Sequence, residues 1–260
     1  MNNFTRITSK DNDLIKHITS LQKSSKKRKE NGVFILEGER LCNDAVLNGY
    51  VPNTVVLSDT AVSRYCDDVK RLSGICDAIY SLPDSLFSKI SDTANPQGIL
   101  CIYPIPSFGG LSLKTDGRYI ALENLQDPAN FGAISRTAEA FGIDGIIMQG
   151  GCDPYSPKSL RASMGALLRI PIYQTDSITE LFKSQKIKTY AAVVSDDAKS
   201  LSTIKFECGS AIVIGNEANG ISENTAKCCD CRLTIPMVGK AESLNASVAA
   251  AILMWEMCKC

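Results

Sequence analysis

The second half of the chain alternates short apolar runs with stretches that carry helix signals. The apolar runs are rich in Ile, Val and Ala, and they read "YIALEN", "GIIMQ", "TYAAVVS" and "AIVIG". Helices are predicted from about residue 130, around 157–168 and over roughly 245–257. Short apolar strands separated by helices form a parallel sheet that is covered on both faces. The sequence therefore predicts an α/β fold.

The first hundred residues show the same alternation. Four apolar residues at helical spacing predict a first helix, namely Leu14, Ile15, Ile18 and Leu21. "VFILEG" and "TVVLSD" read as strands, and a helix from about Glu39 stops at Asn48-Gly49. Residues 104–117 carry Pro, Gly and Ser without periodicity, which is typical of a linker. We predict an N-terminal domain over 1–105, a linker over 106–116 and a second domain over 117–260.

Charge and apolar composition limit the partners of this chain. The 260 residues have a net charge of zero, so nucleic-acid binding requires a local basic patch. The candidate patch is Lys23, Lys26, Lys27, Arg28 and Lys29, for which the alternative is a solvated loop. The N-terminus has no apolar core of a signal peptide, and the longest apolar run, Ala246 to Trp255, is too short to span a bilayer. We expect a cytoplasmic protein without a membrane partner.

Cysteine and histidine usage argues against two kinds of chemistry. The eleven cysteines are an odd number without a secretion signal, which favours free thiols. Cys228 and Cys231 have zinc-like spacing but lack a matching second pair, so we predict no metal site. His17 is the only histidine and belongs to a polar N-terminal helix. Histidine acid–base catalysis is therefore excluded in the C-terminal half.

Three loops of similar composition lie in the second half of the chain, and the first two follow the predicted strands "YIALEN" and "AIVIG". They are contained in "ENLQDPANFGAISR", "IVIGNEANGIS" and "IPMVGKAESLNASVAAAI". Each has an ordinary structural explanation when taken alone: Arg136 as an exposed arginine, a common strand–turn–helix, and a capped core helix. Ligands of open α/β sheets bind where such loops leave the strands. No G-x-G-x-x-G or P-loop motif is present, so a nucleotide-like cofactor would be held differently.

Taken in order, the three loops resemble the motifs of a known family. The chain is similar to the SpoU/TrmH family of RNA ribose 2′-O-methyltransferases, within the SPOUT class. "DPANFGAISRTAEAFG" resembles the first motif, "IGNEANGIS" the second and "IPMVGKAESLNASVAAAI" the third, with "YSPKSLRASMGALLRIPI" between them. "FILEGERLCNDAV" and "NPQGIL" are similar to the ribosomal-protein-like substrate-binding domain of many members. The resemblance covers nearly the whole chain.

The resemblance implies a SPOUT fold with a deep C-terminal trefoil knot, S-adenosylmethionine as cofactor and a homodimer with its site at the interface. The residues at catalytic motif positions are Asn130, Arg136, Glu217, Ser243 and Asn245. Backbone around Gly215, Ile235 and Leu244 is implied to bind the cofactor. Asn216 departs from the pattern, because a smaller residue is more usual there.

The expected chemistry is methyl transfer to a ribose hydroxyl, for which positioning supplies much of the rate. A guanidinium group stays charged in proteins, so we expect Arg136 to orient a ribose phosphate and stabilise developing negative charge. Ribosomal RNA is the preferred substrate and transfer RNA the alternative. Two further alternatives are methylation of a base nitrogen and a non-catalytic RNA-binding protein.

Overall fold

A computed structural model of the protein describes residues 4–107, 113–185 and 187–259. The chain divides into two compact units. The first unit consists of the residues up to Ser107 together with Tyr155–Leu160. The second unit consists of the other residues after Ser107. Residues 108–112, within the predicted linker, lie outside the described residues. Across the described residues, no helix combines the length and apolar character needed to cross a membrane.

The first unit is built on a mixed sheet with strand order β1-β4-β3-β5-β2. Its strands are β1 Thr5–Arg6, β2 Val33–Glu37, β3 Thr54–Ser58, β4 Ile79–Leu82 and β5 Ile99–Pro104. Its helices are α1 Asp13–Lys23, α2 Ser25–Asn31, α3 Glu39–Leu47, α4 Asp59–Arg64, α5 Cys66–Ser73 and α6 Asp84–Ile90. Strand β4 is parallel to β1 and β3, whereas β5 runs antiparallel to β2 and β3. The predicted first helix is confirmed, since Ile15, Ile18 and Leu21 of α1 are buried in the core.

The basic stretch lies at the junction of α1 and α2, and Arg28 behaves differently from its neighbours. Its side chain is buried, with 4% exposure, and its guanidinium donates hydrogen bonds to the carbonyl oxygens of Leu21 and Gln22 in the last turn of α1. The last carbonyl groups of a helix have no backbone N–H partner within it, so the Arg28 guanidinium supplies their hydrogen-bond donors. We therefore remove Arg28 from the predicted RNA contacts, because a phosphate cannot reach a guanidinium that is buried and bonded.

The second unit contains a parallel sheet with strand order β10-β12-β9-β11-β6-β7-β8. Its strands are β6 Arg118–Glu123, β7 Gly145–Gln149, β8 Ile172–Gln174, β9 Lys188–Ala192, β10 Lys199–Ser200, β11 Ser210–Ile214 and β12 Cys231–Thr234. The helices after residue 117 are α7 Pro128–Ala140, α8 Pro157–Ser163, α9 Ile178–Ser184, α10 Glu223–Cys228 and α11 Ala246–Met257. The predicted α/β fold with a parallel sheet is confirmed.

The helix predicted around 157–168 is shorter than expected. Helix α8 ends at Ser163, and only a single 3₁₀ turn, Ala166–Leu168, follows it. Met164 and Gly165 between them have φ angles of 49° and 89°. This left-handed backbone cannot continue a right-handed helix, so it ends the element.

Both faces of the parallel sheet are covered. Tyr119 and Ala121 of β6 pack with Ile178 and Phe182 of α9 on one face. Side chains alternate along a strand, so Ile120 and its neighbours point to the other face. Helix α11 packs on β11 and against α7, whose apolar face is buried. Because the helices cover the two faces, the carboxyl edge of the sheet is occupied by loops.

Candidate active site

Three loops meet at the carboxyl edge of the parallel sheet. Strand β6 ends at Glu123, β11 at Ile214 and β12 at Thr234, and each is followed by one of the motif loops. A cavity of about 840 Å³ lies beside these loops, within the size range of ligand pockets. The residues lining it come mainly from 214–221, 232–235 and 242–249. The edge that the alternation predicted as a ligand site therefore holds a cavity.

Most residues that the sequence assigned to the site line this cavity. The three assigned to the cofactor, Gly215, Ile235 and Leu244, are all part of its wall. Three assigned to catalysis, Glu217, Ser243 and Asn245, line it as well. The second and third motifs therefore form one pocket.

A chain of hydrogen bonds through Asn130 joins the three motifs. The Asn130 side-chain amide donates to Glu217 Oε1 at 3.0 Å, and its carbonyl oxygen accepts from Asn245 Nδ2 at 3.0 Å. Asn130 is buried, with 8% exposure, and a carboxylate can only accept, so these partners fix the orientation of its amide. Asn130 thereby sets the distance between Glu217 and Asn245.

Glu217 is held by the backbone of the first motif as well as by Asn130. Its two carboxylate oxygens accept from the backbone N–H groups of Gln126 and Asp127, each at 3.0 Å. Burial disfavours the charged carboxylate, but the hydrogen bonds from Asn130 and from these backbone groups outweigh burial and lower the pKa of Glu217. Glu217 is therefore ionised at neutral pH and has no proton to give as a general acid. Its carboxylate anchors the second motif loop to the first.

Two helix caps belong to the same network. Asp127 caps α7 by accepting from Ala129 N at 3.0 Å. Asn245 caps α11, since its Oδ1 accepts from Ser247 N at 2.9 Å while its Nδ2 bonds to Asn130. One asparagine thus fixes both the start of the last helix and the first motif.

The second loop closes tightly on itself. Asn216 N–H donates to Gly220 O at 3.0 Å, and Gly220 N–H donates back to Asn216 O at 2.8 Å. A Cβ on Gly215 would lie 2.0 Å from the Gly220 carbonyl carbon, so only glycine fits there. The loop therefore forms one compact turn in the wall of the pocket.

The departure at Asn216 has a structural explanation. Asn216 Oδ1 accepts from the backbone of Ala218 at 2.9 Å and of Asn219 at 3.2 Å. Its Nδ2 donates to Asn124 O at 2.9 Å, in the first motif loop. A smaller residue could not make the bond to Asn124, so the larger side chain connects the two loops.

Glu123 is a site residue that the sequence analysis missed. Its carboxylate, with 4% exposure, accepts from Ser222 N at 2.7 Å, Ser222 Oγ at 2.8 Å and Thr225 Oγ1 at 2.6 Å. The available signal was a carboxylate that ends an otherwise apolar run in "YIALEN". A carboxylate that is buried at the end of a strand requires donors from another segment.

Arg136 does not join the other catalytic candidates. It lies on α7 six residues beyond Asn130, about 9 Å further along the helix axis. Its side chain is exposed, it does not line the cavity, and among the described residues it makes no hydrogen bond or ion pair. Arg136 points away from the apolar face of its helix, on which Ile134 and Ala138 are buried.

The charges of the cavity suit a cationic cofactor with an apolar part. Its lining holds three carboxylates, from Glu217, Glu223 and Glu242, and two cations, from Lys227 and Arg232. Lys227 is paired with Glu223, and Arg232 with Asp197 outside the lining. Leu244, Leu253, Ala249 and Ile235 supply apolar wall. These residues fit the positively charged sulfur and the flat base of S-adenosylmethionine.

The cysteine cluster near β12 differs in character from a zinc site. Burial raises the pKa of Cys229 to about 12, which disfavours the thiolate that zinc requires. In the part of the chain that the structure describes, no three His, Cys, Asp or Glu side chains are grouped to hold a metal ion.

Comparison with known proteins identifies the family. Residues 117–255 match the SpoU rRNA Methylase family, and residues 12–101 match an MRM3-like substrate binding domain. This chain belongs to the SpoU rRNA methylase family. The resemblance that the motifs suggested is confirmed, including the substrate-binding domain in the N-terminal part.

Relatives cover nearly the whole chain. The 23S rRNA (guanosine(2553)-2′-O)-methyltransferase RlmP of Bacillus subtilis is 29% identical over 97% of this chain and 98% of its own. An AdoMet-bound rRNA methyltransferase from Sinorhizobium meliloti has a TM-score of 0.88 at 27% identity, covering 98% of both chains. A putative RNA methyltransferase of the TrmH family from Porphyromonas gingivalis has a TM-score of 0.79 at 32% identity, covering 93% of this chain and 95% of its own. The predicted fold class is confirmed at the level of both domains.

Proposed function

We propose that the chain binds S-adenosylmethionine in the cavity beside Gly215 and transfers its methyl group to a ribose 2′-hydroxyl of ribosomal RNA. RNA 2′-O-methylation with this cofactor is the activity of the family and of this member. The observation that carries the assignment of the pocket is the bonded chain Glu217–Asn130–Asn245, which joins all three motifs at one cavity. The chain's likeness to a 23S rRNA methyltransferase supports ribosomal RNA over transfer RNA.

We assign RNA recognition to residues 1–105 and methyl transfer to residues 117–260. Four lysines of the basic stretch are exposed and carry the proposed phosphate contacts: Lys23, Lys26, Lys27 and Lys29. Lys26 and Lys27 also pair with Glu30. Replacing Lys23 and Lys29 with alanine should weaken RNA binding and reduce its salt dependence by roughly one unit of slope per lost contact. An unchanged slope would make the stretch a solvated surface.

When bound, S-adenosylmethionine supplies a methyl group on a positively charged sulfur. The chain's own contribution is to place a ribose hydroxyl in line with that methyl and to stabilise negative charge on its oxygen. Ser243 is exposed at the cavity, and its hydroxyl makes no hydrogen bond within the described residues, so it is free to contact the ribose. Arg136 provides the fixed charge, and its planar fork suits a ribose phosphate.

Because Arg136 lies outside the cavity of its own chain, we propose that it serves the cavity of a second copy in a homodimer. Helices α7 and α11 pack together, and α11 exposes two large apolar side chains, Val248 at 48% and Trp255 at 53%. Burying them in a dimer interface would bring the α7 surface of one protomer to the other. The trefoil knot that the resemblance implies is part of the same proposal.

Complementation between two inactive variants tests this arrangement. Arg136→Ala keeps the pocket and lacks the arginine, whereas Gly215→Ala keeps the arginine and loses the pocket. If Arg136 acts across the interface, co-expression of the two should restore methylation in mixed dimers, while each variant alone stays at least about a hundredfold below wild type. If Arg136 acts within its own chain, mixed dimers remain inactive. Wild-type turnover of Arg136→Ala would remove Arg136 from the site altogether.

A further inference from the structure

The turn formed by the second motif is attached at both of its ends to the first motif loop, which begins at Glu123. At its start, Asn216 bonds to Asn124 O, and Glu217 bonds to the backbone of Gln126 and Asp127. At its end, Ser222 bonds to Glu123. The turn is internally rigid through its paired Asn216 and Gly220. Its position in the pocket wall is therefore set by these two attachments.

The attachment at Glu123 is chemically demanding. A carboxylate with 4% exposure is costly to bury unless its oxygens are bonded. Here one backbone N–H and two hydroxyls satisfy it, all from Ser222 and Thr225. Ser222 Oγ also accepts from Thr225 N at 3.2 Å and so caps α10. Moving the end of the turn would break all of these bonds together.

Glu123 lies behind the pocket wall. It is not among the cavity-lining residues, whereas Ile221, Glu223 and Ala226 around its donors are. It therefore acts on a bound molecule only through the segment that it holds.

We propose that Glu123 is a positioning residue for the cofactor pocket: it fixes the end of the 215–222 turn and so preforms the wall against which S-adenosylmethionine binds. This inference rests on the proposed function, in which that cavity is the cofactor site. Without the bonds to Glu123 the turn can adopt other positions. Part of the free energy of cofactor binding is then spent on returning the turn to its position in the pocket wall. The cost falls on cofactor affinity, because the groups that face the ribose are unchanged.

Glu123→Gln tests the proposal with little change of shape. The glutamine keeps one carbonyl acceptor but loses the charge and places an NH₂ group among three donors. We expect S-adenosylmethionine to bind about tenfold more weakly by calorimetry, as for a lost charge-assisted hydrogen bond. Turnover at saturating cofactor should stay within about twofold of wild type. Amides of residues 216–222 should exchange hydrogen faster in the variant without cofactor.

Glu37 offers a matched control in the other unit. Its carboxylate also accepts from one backbone N–H, that of Asp92 at 2.9 Å, and from two hydroxyls, those of Ser91 and Thr93. Glu37 is only part-buried, so Glu37→Gln should lower stability somewhat less than Glu123→Gln does, and it should leave cofactor affinity unchanged. Equal loss of affinity in both variants would overturn the proposal, because the effect would then be general destabilisation.

A milder variant covers the case in which Glu123→Gln does not fold. Thr225→Val keeps the shape of the side chain and removes one donor to Glu123. It should weaken cofactor binding about threefold to tenfold while the fold is retained. Wild-type affinity in a folded Glu123→Gln or Thr225→Val variant overturns the positioning role. Failure of the wild-type chain itself to bind S-adenosylmethionine would instead refute the proposed function.

Discussion

Replacing Asn130 with aspartate puts a second carboxylate into the centre of the site. The new oxygen would stand where Asn130 Nδ2 now lies, 3.0 Å from Glu217 Oε1. Coulomb's law with an effective dielectric of about 20 gives roughly 5 kcal/mol of repulsion at this separation. Solvent near the exposed Glu217 and side-chain movement reduce it, so we expect a loss of about 2–3 kcal/mol in the free energy of unfolding at neutral pH.

The pH dependence of this loss is the diagnostic part of the prediction. Two like charges raise the pKa of one carboxyl in the folded Asn130→Asp protein. The loss of stability caused by this repulsion is complete above the raised pKa. It is relieved as pH falls through that pKa, because a proton shared between the two carboxyl groups removes one of the charges. In the wild type the pKa of Glu217 is lowered, so its contribution is present above the ordinary glutamate range and is lost only as pH falls below it. A loss of about 2–3 kcal/mol places the raised pKa about two pH units above the ordinary aspartate range, so the stability deficit of the variant should shrink as pH falls from about 6.5 to about 4.5.

The assay is urea unfolding followed by the fluorescence of Trp255, the only tryptophan, which lies on α11 of the methyltransferase unit. Asn130→Ala is the control, because it removes both hydrogen bonds without adding charge. Its deficit of about 1–3 kcal/mol should not change over the same pH range. Parallel pH profiles for the two variants, or an Asn130→Asp protein as stable as wild type, would refute the bonded chain Glu217–Asn130–Asn245.

Three further changes test separate parts of the structure. Gly215→Ala forces a Cβ to within 2.0 Å of Gly220 and should abolish S-adenosylmethionine binding in calorimetry while circular dichroism keeps its helical signal. Arg28→Met should lower the free energy of unfolding by about 2 kcal/mol in urea titrations, because the carbonyls at the end of α1 lose their donor, whereas Lys29→Ala should change it by less than about 0.5 kcal/mol. Trp255→Glu should shift the protein from dimer to monomer in sedimentation, and an unchanged dimer would move the interface away from α11.

Local patterns were sufficient to predict most of the elements. The first helix followed from the spacing of Leu14, Ile15, Ile18 and Leu21, which lies within one short segment. The end of α3 followed from Asn48-Gly49 for the same reason. These features depend on neighbours in sequence, which one chain displays directly.

Features that depend on distant partners were not predictable. Asn216 bonds to Asn124, and Glu123 to Ser222, across gaps of 92 and 99 residues. Arg28 sits in a basic run that resembles a solvated surface, yet the packing of α2 on α1 buries it. The motif residues could be assigned to one site only through family resemblance, since spacing along the chain carries no information about these contacts.

The position of a labelled methyl group in the product RNA distinguishes ribose methylation from base methylation. The purified chain would be incubated with S-adenosylmethionine carrying a labelled methyl and with ribosomal RNA from cells that lack the gene. Alkali cleaves RNA through the 2′-hydroxyl, so a 2′-O-methyl group protects the adjacent bond. We expect label in alkali-resistant dinucleotides, and none when Arg136→Ala replaces the wild type. Label in mononucleotides would show base methylation, and absence of label would contradict the assignment to ribosomal RNA.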